Sequence, residues 1–356
     1  MLDVLLRVLA FGVGVFLVFS TVLAAIRSFV LPRNESVLIN NWVFMGIRHL
    51  FSALAASKKT YAQRDRVMSM YAPIGLVMLP VVWLILLSIG YTGILWALGE
   101  GSLVTSYVLS SNSVLTLGSV KAATLPGSIA SYSEATFGLL LITLLISYLP
   151  TMYQAFTRRE LVVARLELRC GTNHTATELI IWLNRTGSLA DDGPQWEQWE
   201  EWFVEIEETH TSLPILSFFR SPQPGRSWVT AASIILDAAA VVISSVEQPR
   251  DQQMELCFKA GCIAINRISR YFEDRAHAEP NNLITEADPV EDPTRRDFFQ
   301  THDQLEQAGV LLKEERAAAW DEYQALRARY ANAIQYLAKL TMSPDLKAIG
   351  NNRRTQ

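Results

Sequence analysis

The chain has few cysteines and no recognisable catalytic motif. Its 356 residues include three cysteines, Cys170, Cys257 and Cys262, at spacings unlike those of a zinc site, and an odd count does not suit a disulfide framework. The sequence also lacks a glycine-rich phosphate-binding loop, a nucleophile elbow and a zinc motif. We therefore expect no cofactor, no metal and no enzyme activity, and no nucleic acid as a partner.

Charge is scarce in the first half of the sequence. Up to about residue 156 the chain is dominated by Leu, Val, Ile, Ala and Phe, whereas acids and bases recur every few residues from Arg158 onward. A bilayer crossing takes about 20 apolar residues. Residues 8–26, 72–98 and 135–156 are long enough. The sequence predicts an all-α membrane protein with three transmembrane helices, followed by an all-helical cytoplasmic domain.

A fourth apolar stretch, residues 228–246, has two interpretations. Asp237 lies at its middle, where an acid would be costly in lipid, and Arg226 and Arg250 flank its two ends. We therefore favour a buried core helix in which Asp237 forms an ion pair with Arg220 or Arg226. The alternative is that these arginines bind an anionic regulator.

Basic residues are unevenly distributed around the spans. Residues 27–66 contain seven and residues 158–169 contain four, whereas residues 99–133 contain only Lys121. Because cytoplasmic segments are enriched in Lys and Arg, the N-terminus is expected outside and the C-terminal half in the cytoplasm.

The first connection contains an apolar segment, NNWVFMGIRHLFSALAASKK, at residues 40–59. Trp42, Phe44 and Phe51 could lie in the headgroup layer as part of an interfacial helix. Alternatively, the segment is a helix packed against its own bundle.

The stretch SNSVLTLGSVKAAT, residues 111–124, lies between the second and third spans and is rich in Ser, Thr and Gly. Such backbone is tolerated at membrane depth only where protein buries it or water lines it. The sequence therefore predicts a re-entrant loop, with a short helix over residues 107–115 and an extended return over residues 116–120. Several chains must surround such a loop, so an oligomer is expected. The alternative is a plain extracellular loop.

The order of these features resembles the pore module of tetrameric potassium channels. In that family a span, a short helix and the sequence Thr-x-Gly-aromatic-Gly precede the inner helix, and filter carbonyls replace the hydration shell of the ion. The matching residues here are Thr116, Leu117 and Gly118. Residues 134–160, EATFGLLLITLLISYLPTMYQAFTRRE, resemble the inner helix.

The resemblance implies a role for six consecutive residues and for two positions in the inner helix. Gly138 and Pro150 correspond to a gating hinge and a bend. The ion path would run along the filter-like residues Thr116, Leu117, Gly118, Ser119, Val120 and Lys121.

Three of these residues depart from the potassium-channel pattern. Ser119 replaces the aromatic residue, and Val120 replaces the second Gly, at a cost of about 1–3 kcal/mol if a positive φ is needed. Four copies of Lys121 near the mouth would repel cations and attract anions. The sequence thus implies a weakly selective or non-potassium pore.

The whole chain also resembles a group of bacterial membrane proteins that join this module to a helical cytoplasmic domain, through the phrases FFRSP, RSWVTAA and LDAAA. The resemblance implies a location in the bacterial inner membrane.

In the C-terminal half, QWEQWEEWFVEIEETH places Trp196, Trp199, Phe203 and Ile206 on one helix face. The predicted helices are residues 175–184, 194–209, 227–246, 252–272, 293–308 and 314–340.

Five segments follow from these patterns. They are an N-terminal transmembrane helix (1–31), a basic cytoplasmic linker with an interfacial helix (32–71), a pore module (72–157), a cytoplasmic helical domain (158–349) and a disordered tail (350–356). The pore module is predicted to contain an outer helix at 72–98, a pore helix and filter-like loop at 106–121, and an inner helix at 134–157.

Two functions remain open from the sequence. The first is a homotetrameric pore-loop ion channel regulated by its helical domain, with membrane lipid, a permeant inorganic ion and a cytoplasmic regulator as partners. The alternative is a non-conducting receptor or scaffold derived from a channel module, which acts through its cytoplasmic domain.

Overall fold

A computed structural model describes residues 2–29, 38–170, 175–189, 193–223, 225–249, 251–278, 294–344 and 349. These residues form helices without any β-strand, although one isolated bridge pairs Val246 with Leu312. The all-helical prediction is thus confirmed for the described part of the chain. The predicted tail at residues 350–356 lies outside it. The chain divides into two compact units, Met1–Gln154 and Ala155–Gln356.

The first unit contains five helices and the start of a sixth in its described residues. They are α1 (Leu2–Phe29), α2 (Leu38–Ala56), α3 (Tyr61–Ser69), α4 (Tyr71–Ala97), α5 (Leu103–Val114) and α6 (Leu125–Cys170).

Several helices are long and apolar enough to cross a membrane, as expected for a multi-pass membrane protein. In the described residues these are Leu2–Ser28, Ala62–Ala97, Leu125–Cys170 and Trp228–Ser245. The fourth differs from the others, because 89% of its apolar stretch is buried within the protein, against 28%, 44% and 17% for the first three.

Helices α1 and α4 pack closely in antiparallel directions. A Cβ atom on Gly14 would lie 2.5 Å from the carbonyl oxygen of Gly90, so the two backbones come closer than side chains would allow. Near the start of α1, Arg7 donates to the carbonyl oxygen of Trp96 over 3.3 Å and its guanidinium lies over the Trp96 ring. The cation therefore complements the C-terminal end of α4.

Helix α2 has one buried face and one exposed face. Phe51 is buried and contacts the edge of Tyr71 at a centroid distance of 6.2 Å. Trp42, Leu50 and Leu54 are exposed on the other face. The packed-helix interpretation therefore holds for the first face, and the second presents the apolar surface that an interfacial helix needs.

The second unit is a bundle of shorter helices. After the end of α6, its described residues form α7 (Ala176–Arg185), α8 (Gly193–Ser212), a 3-10 helix (Pro214–Phe218), α9 (Trp228–Ser245), α10 (Gln252–Ala278), α11 (Arg295–Gln307), α12 (Arg316–Arg327) and α13 (Ala331–Thr341).

Helix α9 lies at the centre of the second unit and contacts α7, α10, α12 and α13. It begins where the Ser227 hydroxyl accepts a hydrogen bond from the backbone N–H of Val229. Its small side chains, including Ala238, Ala239 and Ala240, are fully buried and let the neighbouring helices approach closely. The interpretation of residues 228–246 as a buried core helix is confirmed.

The predicted single helix at residues 314–340 is wrong. The chain breaks between α12 and α13, where Asn266 of α10 donates a hydrogen bond of 2.7 Å to the carbonyl oxygen of Arg329. This bond satisfies a carbonyl that an unbroken helix would have paired internally. The break lets Arg327 and Tyr330 both reach Asp237.

Candidate functional site

Helix α5 lies between α4 and α6 and is capped at its start. The Ser102 hydroxyl accepts from the backbone N–H of Thr105 over 3.2 Å. Leu109 and Val114 are buried, whereas Leu103, Val104, Tyr107 and Val108 are exposed. A short helix was predicted at residues 107–115, and it begins four residues earlier because Ser102 is the cap.

Asn112 determines the path of the loop that follows α5. Its side-chain oxygen accepts hydrogen bonds from the backbone N–H groups of Ser119 (2.9 Å) and Val120 (3.3 Å). Its amide nitrogen donates to the Ser119 hydroxyl, and its backbone carbonyl accepts from the N–H of Leu117. One buried amide therefore holds the filter-like residues against the end of α5.

The filter-like segment is not the plain extended return that was expected. Thr116 and Gly118 both have positive φ, at 56° and 69°. Glycine adopts this conformation without steric cost, whereas threonine is strained in it. Val120 does not share this conformation. Leu117, Ser119, Val120 and Lys121 are all exposed within a single chain.

The loop ends at a carboxylate clamp. Glu100 accepts hydrogen bonds from the backbone N–H of Ala123 (2.6 Å) and from both the N–H (3.0 Å) and the hydroxyl (2.6 Å) of Thr124. The Thr124 hydroxyl in turn accepts from the N–H of Gly127. The clamp caps α6 at Leu125, nine residues before the predicted start of the inner helix at residue 134.

The hydrogen bonds keep Glu100 ionised. Burial alone would raise the pKa of its carboxyl group, but the bonds from Thr124 and Ala123 outweigh burial and lower the pKa. A carboxylate at the N-terminus of α6 also complements the helix dipole.

Gly127→Ala is expected to open this clamp. A Cβ atom at this position would lie 1.9 Å from Oε1 of Glu100, so the carboxylate must move and lose its hydrogen bonds. By analogy with the loss of a helix cap, we expect a destabilisation of about 0.5–2 kcal/mol, measured by thermal unfolding of the purified protein. Gly12→Ala is the control, because no atom lies near its Cβ position. If the two variants are equally stable, the hydrogen bonds of Glu100 do not stabilise the start of α6 as proposed.

Gly138 permits a close approach between α5 and α6. A Cβ atom there would lie 2.5 Å from the carbonyl oxygen of Val114. The residue predicted as a hinge thus permits a close helix contact in this structure, and the helix is continuous through it. Pro150 also lies inside α6, which continues past it to Cys170.

Polar side chains form a line along the exposed side of α6. Thr136, Thr143, Ser147 and Gln154 are all exposed, and at 3.6 residues per turn they lie within about 20° of one direction. We call this set the hydroxyl face. The flanking residues Leu139 and Ile146 are apolar and exposed. Exposed hydroxyl and amide groups can hydrogen-bond with water, so the hydroxyl face is a candidate lining for an aqueous path.

A second polar cluster joins α4, α5 and α6. Ser110 Oγ lies 2.9 Å from Ser88 Oγ, 2.9 Å from the Ser88 carbonyl oxygen and 2.6 Å from Oε1 of Glu134. Nearby, the phenol of Tyr91 contacts the Ser133 hydroxyl at 2.8 Å. Glu134 is fully buried.

In the second unit, Asp237 pairs with neither of the two arginines that were expected. Its carboxylate accepts from Arg327 and from the phenol of Tyr330, each at 2.5 Å. Arg220 instead donates to the carbonyl oxygens of Thr341 and Met342 at the end of α13. Arg226 pairs with Glu167. The expected partners lie close to α9 in sequence, whereas the actual partner is 90 residues away.

Sequence patterns did not predict the structural roles of three polar side chains in the first unit. Asn112, Glu100 and Glu134 had signals that could have identified them, because each lies in or beside an apolar stretch where a polar side chain needs a partner. The spacing of the partners along the chain does not follow from the sequence.

The described residues contain no group of three or more His, Cys, Asp or Glu side chains that could hold a metal ion. No protein-family model, curated protein or solved structure matches this chain.

Proposed function

We propose that the protein is a homotetrameric pore-loop ion channel whose helical domain regulates conduction. The observation that carries the proposal is the hydroxyl face of α6, which is exposed in a single chain together with the filter-like residues 116–121. Around a shared axis, four copies of both features would line one aqueous path. The resemblance of residues 116–118 to a Thr-x-Gly filter supports the same arrangement.

In this proposal, α1, α4 and the first part of α6 cross the membrane, and α5 with the loop forms a re-entrant segment. Helix α9 is excluded from the spans, because it is enclosed by other helices. The excess of bases in residues 27–66 and 158–169 supports a cytoplasmic location for the helical domain. The bacterial inner membrane is what the resemblance to bacterial membrane proteins implies.

Regulation would act through the C-terminal part of α6. Arg159 is buried there and donates to the carbonyl oxygens of Leu216 (2.8 Å) and Phe219 (2.7 Å). Its guanidinium also pairs with Glu160 at 2.8 Å and contacts His210 Nε2 at 3.2 Å. Burial, and then the charge of Arg159, keep the pKa of His210 well below its usual range, so a neutral ring accepts this bond. A change in packing near Arg159 would therefore act directly on α6.

Lys121→Glu is expected to raise cation preference if the loop borders the ion path. Four lysines at the mouth favour anions, and four glutamates reverse the field. The measurement is the reversal potential of the reconstituted protein in a salt gradient. Lys59→Glu is the control, since Lys59 lies in the connection assigned to the cytoplasm. An unchanged reversal potential in Lys121→Glu would remove this residue from the path.

A second candidate is a non-conducting receptor or scaffold, favoured by the Ser119-Val120 sequence in place of an aromatic residue and a second glycine. Imaging of the detergent-solubilised protein and conductance together separate the two candidates. Fourfold particles with ion flux support the channel. The exposed side of α8 is acidic, with Glu197, Glu201 and Glu208. Absence of ion flux, together with a cytoplasmic protein that binds this acidic side, supports the scaffold.

A further inference from the structure

The first unit contains two buried carboxyl groups, Glu100 and Glu134, with opposite hydrogen-bonding surroundings. Glu100 receives three hydrogen bonds, from two backbone N–H groups, which can only donate, and from one hydroxyl. Those donors suit an ionised carboxylate. Glu134, by contrast, contacts a single hydroxyl, that of Ser110, and its Oε2 atom has no hydrogen-bond partner among the described residues.

Ser110 is the only hydrogen-bond partner of Glu134 among the described residues. The Ser110 oxygen makes three contacts: with the Ser88 hydroxyl, with the Ser88 carbonyl oxygen and with Glu134 Oε1. Each serine hydroxyl carries one proton. The one proton of Ser110 has two possible acceptors, the Ser88 carbonyl oxygen and Glu134 Oε1. Oε1 is also the only oxygen of Glu134 with a partner among the described residues, so a neutral carboxyl group can place its own proton in a hydrogen bond only by donating to Ser110.

The surroundings of Glu134 favour the neutral acid. The carboxyl group is fully buried and forms no ion pair with a described residue, so an ionised form would be an uncompensated buried charge. The neighbouring titratable side chain, Tyr91, is already in contact with Ser133. In the neutral acid, Oε2 is a carbonyl oxygen, and an unpaired acceptor is less costly than an unpaired donor.

We propose that Glu134 is a neutral carboxylic acid that donates to Ser110 and thereby positions α5. The chain of hydrogen bonds then runs from α6 through Ser110 of α5 to the backbone of α4. Glu134 is thus a positioning residue for the short helix and the filter-like loop after it. This inference holds whether or not the protein conducts ions.

The test is infrared spectroscopy of the full-length protein at neutral pH. We expect a carbonyl-stretch band of a protonated carboxyl group in the wild type. The band should persist in Glu100→Gln, disappear in Glu134→Gln and move to higher frequency in Ser110→Ala, because the acid proton loses its acceptor. A wild-type spectrum without such a band overturns the proposal, and so does a band that survives in Glu134→Gln.

The two glutamine variants also differ in their expected stability. In Glu134→Gln the amide nitrogen donates to Ser110 as the acid does, so the melting temperature should stay near that of the wild type. In Glu100→Gln an N–H group faces another N–H or O–H donor, so the melting temperature should fall. If Glu134→Gln melts as early as Glu134→Ala, or does not fold, the neutral-acid proposal is wrong.

Discussion

Asp237→Ala is expected to destabilise the second unit by about 3–5 kcal/mol, because it removes a buried carboxylate that accepts hydrogen bonds from Arg327, Tyr330 and Ser233. Asp237 is 5% exposed, and the side chain of Arg327 is 12% exposed. A typical domain is stable by about 5–15 kcal/mol, so this loss is a large part of the total. The Tyr330 phenol would lose its acceptor as well.

Thermal unfolding followed by tryptophan fluorescence measures this effect in the full-length protein. Asp303→Ala is the matched control, since Asp303 pairs with Arg316 at the surface, where a pair contributes about 0–1 kcal/mol. Replacing both members of the buried pair, in Asp237→Leu with Arg327→Met, should recover much of the loss. If Asp237→Ala and Asp303→Ala unfold at the same temperature, the buried pair is not important to the stability of the unit.

Thr143→Cys and Ser147→Cys are expected to lose most of their current when a charged thiol reagent is added. Both residues belong to the hydroxyl face, so the proposed channel places their side chains in the ion path. A bulky charge at four equivalent positions would block permeation sterically and electrostatically. The native thiols of Cys170, Cys257 and Cys262 are buried, so the reagent has few other targets.

Ile146→Cys is the control for this experiment. Ile146 is 66% exposed, but it lies about 80° around the helix from the hydroxyl face, on the side assigned to lipid or to a neighbouring subunit. The current of this variant should persist after treatment. Equal block at residues 143, 146 and 147, or no block at any of them, would contradict the assignment of the hydroxyl face to the pore.

Sequence reasoning was most successful where a pattern depends on neighbouring residues. The apolar face of α8 is an example, because helix periodicity alone placed Trp196, Trp199, Phe203 and Ile206 together, and all four are buried. It was least successful for polar residues whose partners are distant along the chain. The ion pair of Asp237 with Arg327 and the break before Tyr330 both depend on packing across the bundle.

The conformation of the loop after α5 also depends on contacts that the sequence pattern did not predict. The spacing of Ser, Thr and Gly indicated irregular backbone, but the conformation depends on Asn112, whose amide is seven residues from Ser119. The start of α6 likewise depends on Glu100, 24 residues before Thr124. Whether such hydrogen bonds form depends on how the helices pack, not on the local sequence pattern.

The sequence by itself determined the helical character of the described chain, its long apolar helices and the buried position of α9, because hydrophobic length and period act locally. The tertiary structure decided how polar groups within those apolar surroundings are paired: Glu100 with the start of α6, Glu134 with Ser110, and Asp237 with Arg327. A buried polar atom must find a partner wherever the fold provides one, and that choice depends on three-dimensional proximity, not on distance along the chain.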